Sequence, residues 1–196
     1  MKQGLVFWFT GLSGSGKTTV ATAVKELLEA AGYAVLVLDG DDVRKRLHVH
    51  LGFSEADIKK NNQLIAGLCQ EAHRHYDVIM VPIISPYRVS RAEARLLLGK
   101  RFYEIFFAAD LETVMQRDVK GLYKLARENK IRNLIGYSPS NVYEPPEAPD
   151  LIIDSRMETI EGSTDKLHGF ILTQLKNAET GEAGSRANMA MMLSRR

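Results

Sequence analysis

Cysteine, tryptophan and any excess of one charge are all scarce in this chain. One cysteine, Cys69, leaves no internal disulfide framework, and its place in the apolar pattern "LIAGLCQEA" assigns it to packing. The 26 basic and 24 acidic side chains give a formal charge of +2. They are interleaved, which argues against a dedicated nucleic-acid surface and favours a small anionic ligand. Long apolar runs are missing too. The N-terminus has one lysine and then five apolar residues, "LVFWF", too short for a signal or membrane segment, so the expected compartment is the cytoplasm and no membrane partner is expected. No internal repeat is visible, and 196 residues suit one well-buried domain.

What is present is an alternation. Apolar, β-branched runs recur at "LVFWF", "AVLVL", "VIMVPII", "YEIFFAA" and "DLIID", each followed by a stretch of helical spacing. This predicts an α/β fold with a mainly parallel five-stranded sheet and helices on both faces. The first four runs read as buried on both sides, with Pro82 giving the third an irregular end. Thr18 to Ala31 reads as the first helix, closed by Gly32. Ser54 to His75 reads as a long second helix, with Ser54 as N-cap and Asp57 as its acidic partner. From Asp118 to Pro149 the chain is polar and lacks a strong strand, which predicts a mobile lid. The domain is expected to span 1–176, with 177–196, three methionines near its end, as a flexible tail.

"GLSGSGKTT" lies directly between a predicted strand and a predicted helix. Gly11, Gly16, Lys17 and Thr18 fit G-x-x-x-x-G-K-[ST], the P-loop of the P-loop NTPase fold. The glycines let several backbone N–H groups converge on one anion, and the helix start adds partial positive charge. Lys17 reaches the terminal phosphates and the Thr18 hydroxyl suits Mg²⁺. Gly11, Ser13, Gly14, Ser15, Gly16, Lys17, Thr18 and Thr19 are therefore expected to hold ATP. A guanine-specific switch needs N-K-x-D, and "NKIR" at 129–132 lacks the aspartate. A motor needs a larger chain. A small-molecule kinase remains.

The second strand ends in "LDGDDVRKRL". Asp39 and Asp41 emerge at the carboxyl end of a parallel strand, where open α/β sheets place their ligands. Taken alone, such a string is a solvated turn. Beside a P-loop, one carboxylate can orient Mg²⁺ and the other can accept the proton of an attacking hydroxyl, Asp41 being the expected acceptor. Arg44, one turn on, suits an anionic group of the acceptor. "ISPYR" brings Ile84, Ser85 and Arg88 to the same edge. Lys120, Lys124 and Arg127 fall on roughly one helical face of the lid.

Four blocks, "GLSGSGKTT", "LDGDDVR" with "LGFSEAD", "IISPYRVSRAEAR" and "RDVKGLYKLAR", together resemble the adenylylsulfate (APS) kinases over about Phe7 to Leu175. That family uses Mg-ATP to phosphorylate the 3′-hydroxyl of adenosine 5′-phosphosulfate, giving PAPS. The resemblance implies that Asp39 and Asp41 serve metal and acceptor hydroxyl and that Arg44 and Asn61 contact the acceptor. It places Phe53 as a platform stacking on the acceptor base and Ser85 near the transferred phosphate. It puts Lys120 in the lid and Arg117 beside the ATP adenine, and it implies a homodimer.

The acceptor side departs from the family pattern. Asp42 stands at an asparagine position. In "SEADIKKNNQLI", against "SxxDRxENIRR", Ile58 replaces an arginine that holds APS in relatives, and Gln63 and Leu64 replace an arginine pair. Lys59 and Lys60 project about 100° and 200° from Ile58 on a helix and do not take its place. Leu134 stands for a second base-stacking phenylalanine, and Gly136 to Tyr143 is longer than in relatives. Two alternatives to APS stay open on these residues: another nucleotide-linked acceptor, such as CDP-phosphoramidate, and a non-catalytic nucleotide-binding relative.

Overall fold

The computed structural model describes residues 3–46 and 50–193. Five strands, β1 (Leu5–Thr10), β2 (Val35–Val37), β3 (Val78–Val81), β4 (Phe102–Ala108) and β5 (Leu151–Asp154), form one sheet in the order β2-β3-β1-β4-β5. Every neighbouring pair is parallel, with Phe7 opposite Met80 on one side and Tyr103 on the other. The seven α-helices among the described residues are α1 (Lys17–Ala30), α2 (Gly40–Arg46), α3 (Glu55–Ala72), α4 (Arg88–Leu98), α5 (Leu111–Arg117), α6 (Leu122–Arg127) and α7 (Ile160–Leu193).

Side chains alternate across a strand, and β1 divides the core accordingly. Leu5, Phe7 and Phe9 pack with Val20, Val24 and Leu28 of α1 and Leu167, Ile171 and Leu175 of α7. Val6 and Trp8 pack on the other face with Ile65 and Cys69 of α3 and Ala94 and Leu98 of α4. Burial pushes the Cys69 thiol up to about 12, which suits packing. All of β1 and β3 is buried, as expected. β2 and β4 are not: β2 is an edge strand whose Leu36 and Val37 are only half-buried, and Tyr103, Phe106 and Ala108 of β4 are half-buried too. Apolar composition alone cannot separate a central strand from an edge strand covered by loops.

β3 stops one residue before Pro82, which has no N–H for a ladder. Ser54 caps α3 by accepting from the Asp57 N–H at 3.1 Å, and its own hydroxyl donates to the Asp57 carboxylate at 2.7 Å. α7 continues to Leu193, past the boundary expected near 176. Residues 178–193 lose amphipathic spacing but hold no proline and four alanines, and helical backbone needs propensity, not a stripe. The last residues of the expected tail, 194–196, lie outside those described. No helix among the described residues is long and apolar enough to cross a membrane.

The segment expected as a lid carries its own core. Tyr123, Ala126 and Leu134 are buried with Leu12 of the phosphate loop and Val114 of α5. Asp118 caps α6, its carboxylate accepting from the N–H groups of Tyr123 (3.0 Å) and Lys124 (2.8 Å). The cap puts Lys120 ahead of the helix, off the face of Lys124 and Arg127.

Candidate active site

Three chain segments meet at the carboxyl edge of the sheet. The first is the phosphate loop between β1 and α1. Gly11, Gly14 and Gly16 take φ of 150°, 79° and 90°, and a Cβ on Gly11 would lie 2.6 Å from the Phe107 carbonyl oxygen. Only glycine fits there. The loop is braced from outside: the Tyr123 hydroxyl donates to the Ser13 carbonyl (3.0 Å) and the Ser155 hydroxyl to the Ser15 carbonyl (2.9 Å).

Lys17 is buried inside this loop, where its ammonium donates to the carbonyls of Gly11 (2.9 Å) and Leu12 (2.7 Å) and to the Ser15 hydroxyl (3.2 Å). Burial, and then the neighbouring Lys120, lower its pKa from 10.5 to about 7 against the opposing pull of Asp39 and Asp41. The surplus negative charge that would restore its proton is that of an arriving phosphate.

The second segment runs from β2 into α2. The Thr18 hydroxyl donates to Asp39 Oδ2 (2.9 Å), and the Asp41 N–H donates to Asp39 Oδ1 (2.9 Å). Hydroxyl and carboxylate side by side at the loop mouth are hard oxygen donors, the set Mg²⁺ takes together with phosphate oxygens and water. Among the described residues, no group of three or more His, Cys, Asp or Glu could hold a metal by itself.

The third segment is the one expected as a lid, whose Lys120 ammonium reaches the Asp41 carboxylate at 2.5 Å across the exposed mouth. Lys17, Thr18, Asp39, Asp41 and Lys120, distant in sequence, are thus joined into one charged cluster.

Beside it lies a second cluster. The Arg44 guanidinium stands 4.7 Å over the Phe53 ring and donates to the Gly52 carbonyl (2.7 Å), leaving Phe53 half exposed as a flat apolar face. Burial lowers the pKa of Arg44 while Asp57 and Asp41 raise it. Ile58 is buried with Tyr87 and Ile135, and Ile84 packs against the three. Lys59 does not take the place of Ile58; its ammonium sits 5.4 Å over the Tyr87 ring while paired with Glu55. Asn61 is buried on the same helix.

Four more of the expected residues have the following surroundings. Ser85 is buried, and its hydroxyl accepts from the Trp8 indole N–H (2.9 Å) and the Asn62 amide (3.0 Å), so it is enclosed and does not project into the cleft. Leu134 packs under the lid with Leu12, and its neighbour Ile135 is the one that meets Ile58. Arg88 turns to the end of the lid, donating to the Pro145 carbonyl (2.8 Å) and pairing with Glu147 (2.9 Å). Arg117 is held by the Ser155 carbonyl at 2.5 Å.

Sequence reasoning also passed over the network beneath Ser85. Ser85 has φ of 42°, a strained value for a residue with a Cβ. Its carbonyl accepts from the Thr10 hydroxyl (3.0 Å) and Arg91 Nη1 (2.7 Å). Arg91 is buried, pairs with Glu104 at 2.6 Å and donates to the Glu144 carbonyl at 2.7 Å. The Tyr143 hydroxyl, 2.9 Å from that of Thr10, ties in the lid's exit, and burial pushes it up to about 12. The available signal was the single tryptophan in a buried strand, whose N–H requires a partner.

Comparison with known proteins agrees with this geometry. The adenylylsulphate kinase family model matches residues 3–154. An adenylyl-sulfate kinase of Synechococcus sp. (strain JA-3-3Ab) is 42% identical over 176 residues, covering 87% of this chain and 98% of the relative. One from Halothermothrix orenii is 44% identical over 174 residues, covering 87% and 90%. The solved Mycobacterium tuberculosis APS kinase, in complex with AMPPNP and APS, superposes with a TM-score of 0.80 at 34% identity, covering 88% of this chain and 99% of that one. A gluconokinase from Sinorhizobium meliloti shares the fold at 15% identity and a TM-score of 0.59. With the family model matching residues 3–154 and these relatives above 40% identical along most of the chain, this protein belongs to the adenylylsulphate kinase family of ATP-dependent kinases.

Proposed function

We propose that the protein transfers the γ-phosphate of ATP to the 3′-hydroxyl of adenosine 5′-phosphosulfate, releasing ADP and PAPS. The observation that carries this is the junction of two clusters: Lys17–Thr18–Asp39–Asp41–Lys120 adjoins the Arg44–Phe53 face within one helix, α2. The first suits a polyphosphate and the second a purine with an anionic tail.

In this reading the loop from Gly11 to Thr19 binds the β- and γ-phosphates. Lys17 exchanges the loop carbonyls for phosphate oxygens and is fully protonated there. Thr18 and Asp39 would hold Mg²⁺, which would supply charge neutralisation on the phosphates. Asp41 accepts the proton of the 3′-hydroxyl as its oxygen bonds to the γ-phosphorus and the bond to the β-phosphate oxygen breaks. Lys120 leaves Asp41 for the transferred phosphate, which frees that carboxylate as base. Arg117 flanks the adenine of ATP, and Arg44, Phe53 and Asn61 hold the acceptor. Ser85 acts through its turn, keeping the two halves of the cleft in register.

A cytidine-nucleotide acceptor such as CDP-phosphoramidate is the second reading. It is favoured by Ile58, which is sealed among Tyr87 and Ile135 where relatives place a cation. A homodimer and a cytoplasmic location complete the proposal. The homodimer rests on the family resemblance and on the exposed Leu96 and Leu97 of α4, and a monomeric mass by light scattering removes it. The test of function is the initial rate of ADP release from Mg-ATP with APS and CDP-phosphoramidate offered separately. Saturable use of APS supports the first reading; use of the cytidine compound alone supports the second; release with neither contradicts both.

A further inference from the structure

The longer lid segment, Gly136 to Tyr143, holds a buried amide whose bonds run to the acceptor side. Asn141 is 2% exposed. Its amide nitrogen donates to the Phe53 carbonyl (3.0 Å) and to the Asn133 carbonyl (2.7 Å), and its amide oxygen accepts from the Tyr87 hydroxyl (3.4 Å). Both side-chain donors are therefore used, and the acceptor faces the ring that packs on Ile58. The main chain is closed around it: the Gly136 N–H donates to the Asn141 carbonyl (2.7 Å), and the Asn141 N–H donates to the Ser138 carbonyl (3.0 Å). Gly136 has φ of 78°, and a Cβ there would lie 2.3 Å from Leu12 Cδ2, so the turn that delivers Asn141 admits only glycine.

We propose that Asn141 is a positioning residue for the acceptor nucleotide. One side chain ties together the backbone carrying Phe53, the irregular segment carrying Asn133 and Ile135, and Tyr87. The two walls, the half-exposed Phe53 ring and the sealed Ile58–Tyr87–Ile135 patch, are thereby held at one separation. Phosphate-loop residues receive no hydrogen bond from Asn141, so its effect falls on the acceptor and spares ATP. A buried amide between two carbonyls also explains the residue type: aspartate cannot donate to either, and a shorter or apolar side chain leaves both carbonyls unpaired. This rests on the reading that Phe53 stacks on the acceptor.

The test uses the full chain as wild type, Asn141→Ala and Asn141→Asp, with two readouts. In steady-state kinetics with APS, the acceptor KM is expected to rise about tenfold or more, the equivalent of roughly one net buried hydrogen bond, while the ATP KM stays within about twofold. Asn141→Asp is expected to be the worse variant. In amide hydrogen exchange without ligand, residues 50–54 and 133–138 are expected to exchange about tenfold faster in both variants, with 11–19 unchanged. Equal rises in both KM values, or unchanged acceptor KM with unchanged exchange, overturn the proposal. If wild type itself does not use APS, the proposed acceptor is wrong, and the exchange pattern alone decides whether Asn141 ties the two walls. Exchange that quickens everywhere shows a general structural role and overturns it.

Discussion

Replacing Lys17 with methionine should abolish turnover and at the same time stabilise the fold. The reason is the cost of holding an ammonium inside the loop. Its pKa falls from 10.5 to about 7 on folding, burial being the largest cause. Between those values the unfolded chain binds more protons than the folded one, so stability rises with pH across that window. Each pH unit fully inside the window is worth about 1.4 kcal/mol per proton, so from pH 7 to pH 9 the gain is about 2 kcal/mol after allowing for half-titration at the lower end. Methionine keeps the unbranched stem and removes the charge. The three hydrogen bonds to Gly11, Leu12 and Ser15 are lost, which offsets part of the gain and leaves a net stabilisation of about 1–2 kcal/mol at pH 7. Urea unfolding at pH 7 and pH 9 measures both quantities, and the difference between wild type and variant removes other titrating groups. A variant less stable than wild type by about 1 kcal/mol or more at pH 7, with a parallel pH dependence, would refute the reasoning.

Other substitutions separate chemistry from folding. Asp41→Ala should lower kcat by about two to four orders of magnitude with an unchanged melting temperature, because its pair with Lys120 is exposed and such pairs contribute little; near-normal turnover sinks its role as base. Arg91→Ala should cost up to about 3–5 kcal/mol in urea unfolding, since Glu104 is left buried with only its longer contact to Arg95 at 3.7 Å, and combining it with Glu104→Leu should recover part of that loss. Ile58→Arg should leave the KM for APS unchanged or lower it, at a stability cost of about 2–3 kcal/mol for the lost apolar burial and the charge. A large loss of activity on the native acceptor would instead make the isoleucine a specificity element.

The parts of this molecule that follow local rules were legible from residue types alone. β1, α1, the Ser54 cap and the phosphate loop each depend on short-range spacing, and each lies within a residue or two of its expected place. Asp39 and Asp41 were legible because a P-loop fixes which sheet edge binds ligand. What escaped is long-range. Trp8 finds Ser85 across 77 positions, and Arg91 binds the lid's Glu144 across 53, and no periodicity announces either contact. The packing of Leu134 with Leu12 and of Ile135 with Ile58 was not legible, because irregular chain has no phase from which to read the buried side. The partners of Arg88 and Lys59 were not legible either, because long cationic side chains reach groups that helical wheel angles do not predict.

The most direct test of the central claim is the product formed from APS and Mg-ATP labelled in the γ-phosphate, identified by mass and by ³¹P NMR. The account predicts one labelled phosphate on the 3′-oxygen of intact APS, formed together with an equal amount of ADP. Unchanged APS, or a label found only as inorganic phosphate while ATP is consumed, would contradict it.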